Sequence, residues 1–262
     1  MWTRILQRNL SESRIFLRLT QSNSLGKAVR FRLRRILKRA GTMQMTVHGR
    51  DLAIRPASYD FEVAFDSLGA EFDALDHLFD RDSTGLILDA GGYIGTAALA
   101  LAACYPKARI ITLEPSRENF GLLLKNTNET PNIHPINAAL VNEGGPEEVE
   151  LIDPGKRQWG FTIVPTAGAV HQSAVPTVTL SALLDRFNAD SFLIAKFDIE
   201  GAEGSFFAGD TGWLEKVGAL FIELHEQLAQ DVKANFLAAS KDRIVIASGG
   251  EKWLSLRLPL RL

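Results

Sequence analysis

Four places along this chain join an apolar run to acidic residues, two of them with glycine, the residue types that can hold and position a small charged molecule. The first is Leu86-Ile87-Leu88-Asp89-Ala90-Gly91-Gly92-Tyr93-Ile94-Gly95, leading into Thr96-Ala97-Ala98-Leu99. The run suits a buried strand and the small residues suit a helix. Gly91 and Gly92 between them permit positive φ and close approach of backbone to a ligand, and Gly95 lets the helix pack tightly on the sheet. The second is Ile110-Ile111-Thr112-Leu113, which ends in Glu114, 25 residues after Asp89. A carboxylate there suits two neighbouring hydroxyl donors, as on a ribose. The third is Ile194-Ala195-Lys196-Phe197-Asp198-Ile199-Glu200-Gly201-Ala202-Glu203, and the fourth is Phe221-Ile222-Glu223-Leu224-His225-Glu226. Charges at the carboxyl end of a buried strand need solvent, partners or a ligand. Alternation along a strand puts Glu223 and His225 on one face.

These residues discriminate between nucleoside cofactors. A dinucleotide fingerprint needs glycine where this chain has Ala90, and Asp89 would stand beside a pyrophosphate and repel it. The same acid suits S-adenosylmethionine, which carries ammonium and sulfonium charges, while glycine N–H groups and the helix start could take its carboxylate. The residues thus favour methyl transfer over hydride transfer by a nicotinamide-dependent oxidoreductase. Asp198, Glu200 or His225 could serve as a base toward a hydroxyl acceptor. With Glu223 they could also be drawn around a hard cation, yet Lys196 lies among them and no metal is expected.

The elements that must position these groups follow from rhythm. From Gly85 onward, short apolar runs at 86–88, 110–113, 192–195 and 219–222 alternate with helical stretches at 96–105, 116–127, 179–187 and 227–240. That pattern predicts an α/β, doubly wound, mostly parallel sheet with helices on both faces. Residues 243–247 and 253–258, joined across Gly249-Gly250, predict a closing hairpin with an antiparallel strand at the sheet edge. Upstream, a short hairpin is expected over 43–56 with its turn at His48-Gly49-Arg50-Asp51, then a helix over 66–80. The expected organisation is a basic helical arm at 1–42, a hairpin and helix packing on the core at 43–84, and the catalytic domain at 85–262.

The motifs together resemble the FkbM-type family of S-adenosylmethionine-dependent methyltransferases, a class I, Rossmann-like group. The resemblance rests on Asp89-Ala90-Gly91-Gly92-Tyr93-Ile94-Gly95, Tyr105-Pro106-Lys107-Ala108, Glu114-Pro115-Ser116 with Asn119-Phe120, Asn137-Ala138-Ala139-Leu140, the run 196–203, and Glu223-Leu224-His225. It implies a seven-stranded sheet and methyl transfer, commonly to a hydroxyl of a sugar, glycan or polyketide-like acceptor. It also implies a cofactor site at Asp89, Gly91, Gly92, Tyr93, Gly95, Glu114, Pro115, Ser116, Asn119, Asn137 and Ala138. The family usually has Ala-Asn where this chain has Gly92-Tyr93, so a side-chain contact normally made by the Asn is absent. A methyltransferase fold serving only as a binding module is the non-enzymatic alternative.

Composition sets the limits. With 46% hydrophobic and 23% charged residues the chain is neither disordered nor fibrous, and a single cysteine, Cys104, excludes an internal disulfide and multi-cysteine metal sites. Cys104 reads as a core residue of its apolar helix. No membrane span or signal peptide is evident, which points to a cytoplasmic protein. Residues 1–40 carry 11 Lys/Arg and one acid, a net +10, whereas the rest carries 18 Lys/Arg against 30 Asp/Glu, a net −12. The basic arm, with Val29, Leu33, Ile36 and Leu37 at helical spacing, is compatible with a solvated helix, a peripheral membrane contact, a transit peptide or a nucleic-acid grip. The acidic remainder argues against nucleic acid as the main substrate. His48, His77, His134 and His171 read as surface or loop residues. Trp159-Gly160, in an insertion between Asp153 and Thr177, suits either an acceptor pocket or edge packing.

Overall fold

At Asn23 and Ser24 helix α1 (Trp2–Ser22) gives way to α2 (Leu25–Ile36) in this computed structural model, which describes residues 2–152, 162–165, 174–228 and 231–258. The Ser24 hydroxyl accepts from Lys27 N and caps α2. The Asn23 amide behaves as a fragment of strand: Nδ2 donates to Thr46 O at 2.8 Å and Oδ1 accepts from Thr46 N at 2.9 Å. Thr46 belongs to β1 (Met43–Val47), which pairs antiparallel with β2 (Arg50–Ile54). The loop between them is His48-Gly49 alone, with φ of 46° and 80°, the left-handed pair that two-residue hairpins require.

The helix expected over 66–80 lies earlier, as α3 (Asp60–Ser67). Gly69 N and Glu71 N both turn back to Asp66 O, and a Cβ at Gly69 would stand 2.8 Å from Phe65 O, so the helical path ends there. Asp73, Asp76 and Asp80 add weak helix formers beyond it. The start of α3 is held by the buried pair Arg55–Asp60, in which Asp60 accepts from Arg55 N, Nε and Nη2 at 2.8–2.9 Å. Phe31 and Phe61 meet beneath it with ring centroids 5.7 Å apart. These elements form one unit, Met1–Phe72; the second is Asp73–Leu262.

The second unit is built on a seven-stranded sheet. Its strands are β3 (Leu86–Ala90), β4 (Arg109–Leu113), β5 (Ile133–Ile136), β10 (Phe192–Phe197), β11 (Val217–Glu223), β12 (Ile244–Gly249) and β13 (Lys252–Leu256), in the spatial order β12-β13-β11-β10-β3-β4-β5. The pairs β11/β10, β10/β3, β3/β4 and β4/β5 are parallel. Connecting helices are α4 (Thr96–Cys104), α5 (Arg117–Thr127), α6 (Leu180–Arg186), α7 (Glu203–Phe207) and α8 (Val232–Ala239). Leu86, Ile87 and Leu88 are buried, as an all-apolar central strand demands. Phe197 stacks on Trp213 at 5.5 Å, and Phe206 meets both rings, which locks α7 beneath the end of β10.

Two details differ from expectation. The antiparallel strand is β13, and it lies inside the sheet between β11 and β12, not at the edge. Leu254, Ser255 and Leu256 are buried there between two neighbours, while Ile244 and Ile246 of β12 are exposed at the sheet edge. Cys104 is half-buried and not a core residue, because it sits at the open end of α4. A four-stranded sheet was not foreseen: β6 (Ala139–Leu140), β9 (Ala174–Val178), β7 (Glu148–Ile152) and β8 (Thr162–Pro165), in that spatial order. Trp159, Gly160 and His171 lie outside the described residues. Among the described residues no helix is long and apolar enough to cross a membrane.

Candidate active site at the carboxyl ends of the strands

Strand order reverses between β3 and β10, since β4 and β5 build one way from β3 while β10 and β11 build the other. Crevices at such switch points, beyond the carboxyl ends of strands, are where doubly wound sheets bind ligands. Here the ends of β3 and β10 touch. A Cβ on Gly91 would lie 1.9 Å from Asp198 O, and Gly91 has φ +87°, so only glycine fits. A Cβ on Gly92 would fall 2.2 Å from Thr112 Oγ1, and one on Gly95 would fall 2.8 Å from Thr127 Cγ2 of α5.

Gly91 takes the positive φ expected of the first glycines. The space left by their missing side chains is filled by Asp198, Thr112 and α5, and Gly95 serves packing against a helix, not against the sheet. Their N–H groups are also engaged: Gly91 N and Gly92 N donate to Leu113 O, and Gly95 N donates to Gly92 O. The donors left for an anion are those of the first turn of α4, which has no side-chain cap and no acid, with Thr96, Ala97 and Ala98 buried. Tyr93 adopts φ 50°, a left-handed conformation that Asn tolerates better than a bulky residue.

Glu114 holds the loop from the neighbouring strand. Its Oε2 accepts from Tyr93 N at 2.8 Å, and its Oε1 accepts from Ser116 N at 2.8 Å and Asn119 Nδ2 at 3.4 Å. Burial pushes its pKa up to about 7, against the opposing pull of the Ser116 and Tyr93 N–H groups. Three donors leave about one of the four acceptor positions of a carboxylate for a further hydroxyl. Around it, the Ser116 hydroxyl caps α5 by accepting from Asn119 N, and Asn137 Nδ2 donates to Glu114 O at 2.7 Å and Pro115 O at 3.0 Å. Ala138 is buried behind Asn137 and donates its N–H to Ile136 O.

Asp89 is fully buried, and its charge is answered from within. Thr112 Oγ1 donates to Asp89 Oδ2 at 2.8 Å. Lys196 Nζ lies 3.2 Å from Asp89 Oδ1, an ion-pair distance without hydrogen-bond alignment. Lys196 also donates to Gly91 O at 2.9 Å and stands 3.5 Å from Asp198 Oδ2. The sequence pairs Asp89 with a cationic ligand; the structure pairs it with Lys196, which fastens β3, β10 and the glycine loop together. The signal for this was Lys196 itself, a cation inside an apolar strand.

Beyond β10 the chain makes a tight turn with φ 50° at Glu200 and 96° at Gly201. Glu203, fully buried, closes it by accepting from Ile199 N at 3.1 Å and Gly201 N at 2.8 Å. The same carboxylate contacts His225 Nδ1 at 2.9 Å, while His225 Nε2 lies 3.6 Å from Glu200 Oε2. Burial alone would lower the His225 pKa, but the Glu203 hydrogen bond and the charges of Glu203, Glu200 and Asp198 raise it to about 9. The surrounding carboxylates thus favour the protonated imidazolium of His225. Burial and the nearby Asp198 charge push the Glu223 carboxyl up as well. Ligand atoms of Asp198, Glu200 and His225, and of Glu223, His225 and Glu251, lie within 4.8 Å of one another. Asp198, with its side chain about one-third exposed, is more open than Glu200 or Glu223.

These residues span a known domain. The methyltransferase FkbM domain matches residues 89–242, more than half of the chain. The chain belongs to the FkbM methyltransferase family. Among curated proteins, the hexuronic acid methyltransferase AglP of Haloferax volcanii is 25% identical over 149 residues. That alignment covers 56% of this FkbM-family chain and 59% of AglP. Similar solved structures include the METTL16 methyltransferase domain, at a TM-score of 0.46 and 11% identity over 88% of this chain and 78% of that one. Aeropyrum pernix fibrillarin, in complex with natively bound S-adenosyl-L-methionine, follows at a TM-score of 0.38 and 11% identity over 82% and 81%.

Proposed function

We propose that this FkbM-family chain transfers a methyl group from S-adenosylmethionine to a hydroxyl oxygen of a sugar or uronic-acid-like acceptor. The observation that carries the reading is the convergence of the glycine loop, Glu114 and Asp198 on one switch-point crevice within a methyltransferase family domain. The similarity to a hexuronic acid methyltransferase supports the acceptor class.

The residues present suit the cofactor. The buried, uncapped first turn of α4 offers N–H groups to a carboxylate. Glu114 offers a remaining acceptor position to a ribose hydroxyl, with Pro115, Ser116, Asn119, Asn137 and Ala138 as the surrounding wall. Asp89 acts through Lys196, keeping Gly91 and Asp198 in register. Bound there, S-adenosylmethionine supplies a methyl carbon made electrophilic by its sulfonium. Asp198 sets its negative charge toward the cationic reaction centre and gives up that charge when it takes the proton of the acceptor hydroxyl. Glu200 and Glu203 hold His225 as a fixed imidazolium, which orients the turn that carries Asp198 and Glu200. Holding reactants aligned is the larger part of such catalysis, and a positioned base adds a further factor of roughly 10²–10⁴.

The test is calorimetry with S-adenosylhomocysteine and with NADPH, joined to methyl transfer onto a panel of uronic acid and hexose glycosides. The wild type should bind only the former. Asp198→Asn should keep that affinity within a few-fold and lose about 10²-fold or more in turnover. Binding of NADPH, or of neither compound, would overturn the reading in favour of a reductase or a non-catalytic module.

A further inference from the structure

Helix α2 buries one face and leaves an apolar face outside. Inward go Ala28 and Phe31, both 0% exposed, and Arg35, which donates to Glu62 Oε2 at 3.1 Å and Ser58 O at 3.0 Å. Outward go Leu25 at 64% exposure, Val29 at 42%, Leu33 at 53% and Ile36 at 62%, with Leu37 at 59% just past the helix end. At 3.6 residues per turn, Leu25, Val29, Leu33 and Ile36 fall within an arc of about 80°, and Arg32 and Arg30 stand on its two flanks. Both arginines are exposed. The packing of the unit is therefore satisfied without these four aliphatic side chains.

We infer that this stripe docks on an anionic lipid bilayer. Large aliphatic groups gain free energy only by leaving water, and a hydrocarbon boundary receives them while flanking guanidinium groups reach the phosphates above it. A nucleic acid would attract the arginines but has nothing to offer a continuous Leu/Val/Leu/Ile row. A second copy of the chain would bury the row but bring Arg30, Arg32 and Arg34 against their own like charges. The net +10 over residues 1–40 complements a negative leaflet, each basic group near the surface adding attraction that salt screens. The helix lies in the interface; at 12 residues it is too short to span.

The full chain should co-sediment with vesicles of equal phosphatidylcholine and phosphatidylglycerol, and much less with phosphatidylcholine alone. Leu33 and Ile36 are more than half exposed, so the melting temperature of Leu33→Ser/Ile36→Ser should stay close to that of the wild type. Its partitioning should fall at least about tenfold, since each aliphatic side chain withdrawn from a hydrocarbon boundary costs roughly a tenfold factor. Arg30→Gln/Arg32→Gln should weaken binding and flatten its salt dependence. Equal partitioning of the Leu33→Ser/Ile36→Ser variant would overturn the proposal. So would a stripe-dependent dimer, or binding to a single-stranded RNA oligonucleotide that outcompetes the vesicles.

Discussion

Glu203→Gln tests whether a buried ion pair holds the turn after β10. In the wild type His225 moves from an ordinary 6.5 to about 9 on folding. At about 1.4 kcal/mol per unit, that shift corresponds to roughly 3 kcal/mol of stability. The sign follows from the direction: a raised histidine contributes fully below pH 6.5, and the contribution is lost as pH rises through 9. Gln cannot accept from both Ile199 N and Gly201 N while also meeting a cationic ring, because one of its two terminal atoms is a donor. Breaking a buried pair from one side costs about 3–5 kcal/mol, so the variant should be less stable by that amount at pH 6. Near pH 10 His225 is neutral in both proteins, and the gap should narrow by roughly 3 kcal/mol. Urea unfolding at several pH values measures the gap, and NMR of the His225 ring proton measures the titration. A stability difference that stays constant across that range, or a wild-type midpoint near 6.5, refutes the pairing.

Other expectations are more local. With the Glu114 carboxyl held at about 7, S-adenosylhomocysteine should bind about tenfold tighter at pH 8 than at pH 6, and Glu114→Gln should abolish that slope in calorimetry. The same raised value means that Glu114 contributes stability below pH 4.5 that is lost as pH rises through 7. Gly91→Ala should lose more than about 3 kcal/mol or fail to fold, because a left-handed alanine and a backbone collision coincide. Gly121→Ala on α5, where a Cβ meets nothing within 4 Å, should gain up to about 1 kcal/mol, and similar melting shifts for the two would contradict the crowding at Gly91. Tyr93→Asn should raise the urea midpoint by the equivalent of about 0.5–1 kcal/mol, through relief at φ 50°; a loss would mean that the phenol packs favourably.

How much was legible differs by element. The alternation of buried runs with helices announces a parallel sheet because a strand covered on both faces has no polar side to show. The acids at strand ends announce a crevice because a carboxylate there needs solvent, a partner or a ligand. The roles of those acids were not legible, since a carboxylate three residues from a strand can face solvent, a ligand or its own backbone. Glu203 faces its own backbone and His225, a pairing that no local spacing marks. Lys196 was visible as an anomaly, but its partner across the switch point, Asp89, is 107 residues away in the chain.

The sequence alone determined the class of the sheet, the strand–glycine–helix turn, the hairpins and the family to which the chain belongs, because local periodicity and short motifs carry those features. Only the tertiary structure decided which face of α2 packs, what fills the space beside the glycines, and where β13 inserts. Helical spacing marks Val29, Leu33 and Ile36 as one face but cannot say whether that face turns in or out; Phe31 and Ala28 fill the interior instead. Glycine permits close approach by anything, and which atom arrives depends on strands brought together from distant parts of the chain. Charges are the extreme case. Whether Asp89, His225 or Glu114 meets a ligand depends on the nearest opposite charge and the depth of burial, and both exist only once the chain has folded.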